Sequence, residues 1–115
     1  MRVLVVCRDG FGHIHPMVPL ARALQASGHD LRWATSAEAG PRLGQLGIGA
    51  VAAGLTLAER NAEFGARFPD VFDLPPERVP AEVFPKMFGA VTAPHLLDDL
   101  LPFVRDEWTD RKSVV

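Results

Sequence analysis

The chain opens on an uninterrupted apolar run, Val3-Leu4-Val5-Val6-Cys7, with no polar residue to mark a solvent-facing side. Continuous β-branched runs of this length are how a strand buried on both faces of a parallel sheet reads, so residues 3–7 are predicted to form the first strand. Residues 8–15 carry Gly10 and Gly12 and no apolar periodicity, which predicts a tight loop. Pro16 suits the first turn of a helix, where its missing N–H has no helical partner, and Pro19 still lies among the residues whose N–H groups are unpaired. Met17, Leu20, Ala21 and Leu24 follow at i, i+3, i+4 and i+7 as an inward stripe, with Arg22 and Gln25 opposite, and Gly28 closes the helix. A second run, Leu31-Arg32-Trp33-Ala34-Thr35, predicts another strand. Ser36 then serves as an N-cap, with Glu38 in the first turn of a helix that passes Gly40 and Pro41 and reaches Gly47. Residues 48–53 are a third, weaker strand. The β-α-β-α-β order implies right-handed crossovers and a parallel sheet.

After Gly54 the pattern loosens. Residues 56–68 fit a helix with Leu57, Phe64 and Phe68 inward, and the prolines at 69, 75, 76 and 80 predict loops or turns, a setting that commonly lines a binding cleft. Helical spacing resumes over residues 82–108 through Val83, Met87, Val91, His95 and Leu97 to Leu101, interrupted by prolines, with at least two helical pieces and a kink or break expected before Pro94. No repeat or low-complexity tract is present. The fold class is α/β: an incomplete doubly wound, Rossmann-like parallel sheet of about three strands, followed by a helical segment.

Composition narrows the function. The 115 residues are 48% hydrophobic, enough for one core, and Lys+Arg 12 against Asp+Glu 14 leaves a net charge of −2. Without a clustered basic face, nucleic acid is excluded as a partner. No apolar run approaches the roughly 20 residues that cross a bilayer, and residues 1–6 lead into a strand rather than a signal core, so a cytoplasmic location is expected and no membrane. A lone Cys7 at the end of a strand reads as a small buried side chain, not a disulfide, a zinc ligand or a nucleophile with a base beside it. No carboxylate pair or His/Cys cluster suggests a metal.

In an open parallel sheet, ligands bind beyond the carboxyl ends of the strands, which directs attention to residues 10–14. The dinucleotide fingerprint fails, because Gly10-x-Gly12 is followed by His15 where the third glycine belongs. What remains is Gly12-His13-Ile14-His15-Pro16, a histidine delivered on a glycine turn against a helix start. The positive helix end disfavours an imidazolium, a setting that suits a general base, although a hydrogen bond within the loop would use the same ring. Asp9 is open as a base or as a cap. His15 reads as loop structure or an incidental surface residue, and His29 and His95 read as structural.

Residues 1–6, Gly12-His13-Ile14-His15-Pro16 with the helix through Leu24, and Gly28-His29-Asp30-Leu31-Arg32-Trp33-Ala34-Thr35 together resemble the amino-terminal half of nucleotide-sugar glycosyltransferases of the two-domain GT-B type. The likeness is to the bacterial branch that decorates macrolides and other natural products, and it extends through Phe84-Pro85-Lys86-Met87-Phe88 to Trp108. It implies that His13 takes the proton of an acceptor hydroxyl as that oxygen attacks the anomeric carbon with inversion. It also implies a UDP- or dTDP-sugar donor near Gly10, Phe11 and Gly12, and an apolar small-molecule acceptor near Phe64, Phe68, Met87 and Phe88, for each of which core packing is the competing role. No metal is implied, and no cofactor is held by this segment. A homodimer or a helper protein is the macromolecular partner that the family allows.

The resemblance further implies an aspartate-bearing fourth strand just after Trp108, where Thr109-Asp110-Arg111-Lys112-Ser113-Val114-Val115 stands instead. Residues 1–108 are therefore expected to be a partial acceptor-binding domain, inactive alone. Residues 109–115 are expected to be a non-native tail from a truncated gene model, since Asp-Arg-Lys-Ser-Val-Val is what one frame of a common sequencing adapter encodes. Two other readings stay open. One is a nucleotide-binding Rossmann-like module, against which the missing third glycine and the lack of an acid ending the second strand both count. The other is a non-catalytic helper.

Overall fold

The computed structural model describes residues 1–108; the stretch assigned to a tail from the sequence lies outside them. Three parallel strands, β1 (Arg2–Val6), β2 (Asp30–Thr35) and β3 (Gly49–Ala52), pair in the order β1-β2-β3. Val5 lies opposite Trp33, and Trp33 opposite Ala50. Strands added in one direction through right-handed crossovers put both connecting helices on one face. Ile14, Val18, Ala21, Leu43 and Ile48 accordingly join Leu31 and Trp33 in a single buried cluster, with Val3, Val5 and Cys7 packed against it. The Trp33 indole, fully buried, donates to Cys7 Sγ at 3.2 Å.

β1 departs from the expected two-faced burial: Val6 is 44% exposed and Leu4 only half-buried. Among the described residues β1 pairs with β2 alone, and the sheet face opposite the cluster is covered only in part. A cavity of about 750 Å³ lies there, lined by Arg2, Arg32, Ala50, Asp99, Phe103 and Trp108 among others.

Residues 8–15 are not all loop. Helix α1 (Phe11–Ile14) starts five residues before the expected proline and continues through a 3₁₀ turn (His15–Met17) into α2 (Val18–Ala26). Pro16 and Pro19 cannot donate to the carbonyls of Gly12 and His15, so the helix tightens there instead of running uniformly. The buried stripe is offset from the expected one. Ile14, Val18 and Ala21 are buried, whereas Met17 and Leu20, expected inside, are exposed. The helix ends as its sequence predicts, on Gly28 at φ +86°: the Gly28 N–H donates to the Gln25 carbonyl and the His29 N–H to that of Leu24. Gly47 repeats this closure after α3 (Gly40–Gln45). Ser36 does not cap: its hydroxyl is buried without a hydrogen bond, and a 3₁₀ turn (Ala37–Ala39) precedes α3.

The second half is helical. α4 (Leu57–Arg67) opens on a capping box in which the Glu59 N–H donates to Thr56 Oγ1 and the Thr56 N–H to the Glu59 carboxylate. A 3₁₀ turn (Pro69–Asp73) leads to α5 (Val79–Phe84), a π-helical stretch (Pro85–Thr92) and α6 (Ala93–Asp106). The expected pieces are present, and the change before Pro94 is one of helix type, from π to α at Ala93, with no gap in the helix. In an α-helix the proline's missing N–H would orphan the Ala90 carbonyl, but Arg67 Nη1 donates to that oxygen at 3.1 Å, and the Thr92 hydroxyl caps the Met87 carbonyl at 2.8 Å. Phe64, Val71 and Val91 centre a second buried cluster, joined by Leu55, Phe68, Val83 and Met87. With two separate cores the molecule is elongated, 52 × 27 × 22 Å with a radius of gyration of 16.6 Å. A compact domain of this length has about 13 Å.

Candidate functional site

The candidate site lies where β1 ends. Gly10 holds φ +108°, a conformation costly for any residue with a Cβ, and this turns the strand directly into α1. Its carbonyl accepts from the His13 N–H at 3.0 Å and the Ile14 N–H at 3.1 Å. His13 is thus the third residue of a helix and not part of a loop ahead of one. Its side chain is exposed, while the next residue, Ile14, is fully buried and anchors the turn in the first core. A Cβ placed on Gly10 would sit 3.7 Å from His13 Cδ2, so the imidazole lies against the bare glycine. Gly12 has open space on its side-chain face, and Phe11 is 56% exposed. Among the described residues no carboxylate pairs with His13.

Asp9 does not cap α1, whose N-cap position is Gly10 with no side-chain bond to the helix. Its carboxylate accepts from Arg60 Nη1 at 2.9 Å, and both side chains are largely buried. Arg8, one residue earlier, places its guanidinium 4.1 Å from the centre of the Phe88 ring. The loop leaving β1 is therefore tied to α4 and to the π-helical stretch through two successive residues. Sequence reasoning missed Arg60. The available signal was its place four residues before Phe64, on the inward face of α4, where an arginine needs a carboxylate.

The four aromatic and sulfur residues expected around an acceptor do not form one surface. Phe64, Phe68 and Met87 meet in the second core, with the Phe64 and Phe68 rings 5.7 Å apart. Phe64 and Met87 also line a cavity of about 520 Å³ with Asn61, Val71, Phe72, Val79 and Val83, within the size range of small-molecule pockets. Phe88 turns away, stacking on Phe84 at 5.7 Å beneath Arg8.

Of the other histidines, His15 tilts against the Phe11 ring at 5.2 Å and accepts from Arg42 Nε at 3.4 Å, an exposed structural contact. His29 is half-buried. His95 Nε2 meets the Glu63 carboxylate at 2.8 Å and joins α6 to α4. Cys7 faces the Trp33 indole. Among the described residues no three His, Cys, Asp or Glu side chains gather closely enough to hold a metal ion, and no helix is long and apolar enough to cross a membrane.

No family model matches the chain. Over 52 residues, 45% of the chain, it is 48% identical to an L-demethylnoviosyl transferase of Streptomyces niveus, and over 34 residues 50% identical to a 4'-demethylrebeccamycin synthase of Lentzea aerocolonigenes. These stretches are 14% and 8% of the relatives' lengths. The crystal structure of the glycosyltransferase SnogD from Streptomyces nogalater superposes on 96% of the chain at a TM-score of 0.68 and 29% identity, using 26% of its own length.

Proposed function

We propose that this chain, which has the fold of the amino-terminal part of a GT-B glycosyltransferase, forms the acceptor-side wall of an inverting sugar-transfer site with His13 as its general base. The observation that carries the reading is the placement of His13: exposed, on a glycine-capped helix at the carboxyl end of β1, where ligands of such sheets bind. In that role a ring nitrogen takes the proton of an acceptor hydroxyl. The oxygen attacks the anomeric carbon of a UDP- or dTDP-sugar from the face opposite the leaving nucleoside diphosphate, and the bond to the diphosphate breaks with inversion. Gly10, Phe11 and Gly12 border the donor, and an absent Cβ at Gly10 and Gly12 permits close approach.

The acceptor is an apolar natural product. The cavity that Phe64 and Met87 help to line supports this reading. Residues 1–108 act as part of an acceptor-binding domain, and the other half of the site, including the carboxylate that fixes the His13 tautomer, comes from outside them. The test is His13→Ala in a version that joins this segment to a donor-binding half. Removing a positioned base should lower kcat by about 10²–10⁴-fold with little change in donor KM. Transfer near the unsubstituted rate removes His13 from the mechanism.

A further inference from the structure

We infer that Arg60 is the positioning residue for His13, acting through Asp9 and Gly10; the inference rests on the reading of His13 as the base. Between the end of β1 at Val6 and the start of α1 at Phe11 the chain has four residues to set the direction of the helix. One of them, Asp9, is fixed from 51 positions away by the 2.9 Å contact with Arg60 Nη1. Arg60 is 7% exposed, so water cannot easily replace either partner, and a charge-assisted bond in this setting has a narrow geometry.

The frame behind Arg60 is itself anchored. α4 is held at its start by the Thr56–Glu59 box, and the Glu38 carboxylate accepts from the Leu57 N–H at 3.2 Å. In the other direction the linkage is one peptide long. Asp9 precedes Gly10, whose carbonyl accepts both N–H groups that start the turn and whose Cα backs the imidazole. Displacing the Asp9 carboxylate therefore shifts the Gly10 carbonyl, and with it the ring. Ile14 pins the far side of the turn in the first core, so the near side depends on Asp9. A base must sit within about 2.6–3.2 Å of the proton it takes, so a small shift matters.

The experiment uses the ¹⁵N-labelled 115-residue chain. In Arg60→Met, amide exchange at His13 and Ile14 should accelerate by about tenfold or more relative to the β2 amides, with displaced His13 ring resonances. Arg60→Lys, which keeps the charge but loses the planar fork, should restore part of the protection. Asp9→Asn, nearly isosteric, should reproduce the selective loss and serves if Arg60→Met does not fold. Unchanged exchange at His13 and Ile14, equal acceleration throughout the chain, or no recovery in Arg60→Lys would each overturn the inference. None of these readouts depends on sugar transfer, whereas normal turnover in His13→Ala defeats the base reading alone.

Discussion

Alanine at Gly10 and alanine at Gly12, two positions apart in one turn, should change stability in opposite directions. Gly10 lies at φ +108° and ψ 129°, and an added Cβ would meet nothing nearer than His13 Cδ2 at 3.7 Å, an ordinary contact. The penalty is therefore conformational and not steric, about 1–3 kcal/mol for a non-glycine residue held in such a region. Alanine also narrows the unfolded ensemble, which offsets about 0.4–1 kcal/mol of that. The net loss should be about 1–2 kcal/mol, or a Tm lowered by about 5–15 °C at the sensitivity usual for a domain of this size. Gly12 is inside the helix with nothing within 4 Å of its Cβ position, so alanine there should stabilise by about 0.5–1 kcal/mol. Thermal and urea unfolding of the two variants, followed by far-ultraviolet circular dichroism, measures both. A Gly10→Ala variant within a few tenths of a kcal/mol of the parent, or a Gly12→Ala variant destabilised to the same extent, would refute the backbone argument.

Phe64, 4% exposed and in ring contact with Phe68 and Phe72, should cost about 3–5 kcal/mol as Phe64→Ala, while Leu57→Ala, at a position 46% exposed, should stay within about 0.5 kcal/mol; comparable urea midpoints for the two would contradict the observed face of α4. The Glu59 carboxyl is held below its ordinary value of 4.5, first by the Thr56 N–H and then by the Thr56 hydroxyl. A lowered folded pKa means that this stabilisation is fully present above 4.5 and is lost as the pH falls through the lowered value. The stability gap between the parent and Glu59→Gln should accordingly close on acidification, and a gap that does not change with pH would exclude the carboxylate as its source.

The sheet was legible in the sequence because its signals are local. A β-branched run marks β1 and short apolar-rich runs between turn residues mark β2 and β3, and Gly28 and Gly47 close helices through bonds to residues three to five positions back. What escaped was set by distant partners. Phe11-Gly12-His13 has no strong helical preference of its own, and it becomes helical because Gly10 turns the chain and the first core takes up Ile14. Pro94 does not break its helix: it stands in the first turn of α6, directly after a π-helical stretch, and the Ala90 carbonyl accepts from Arg67 on another element. The inward spacing of Val83, Met87 and Val91 was readable, but Phe88, one position off that stripe, was bound to point elsewhere, and only the fold showed that it meets Arg8.

The same distinction governs how the site is held together. Each core is sealed by apolar packing within its own half of the chain, whereas many of the links between the halves are polar: Asp9 with Arg60, Arg8 over Phe88, the Leu57 N–H on Glu38, and the Gly54 N–H on Asp99 at 2.8 Å. His13 stands on the first core and the apolar cavity belongs to the second. Their mutual placement, which the proposed base and acceptor pocket require, therefore depends on contacts that contribute little to either core. Substitutions at these links should disturb the geometry of the site before they unfold the chain, and substitutions inside a core should do the reverse.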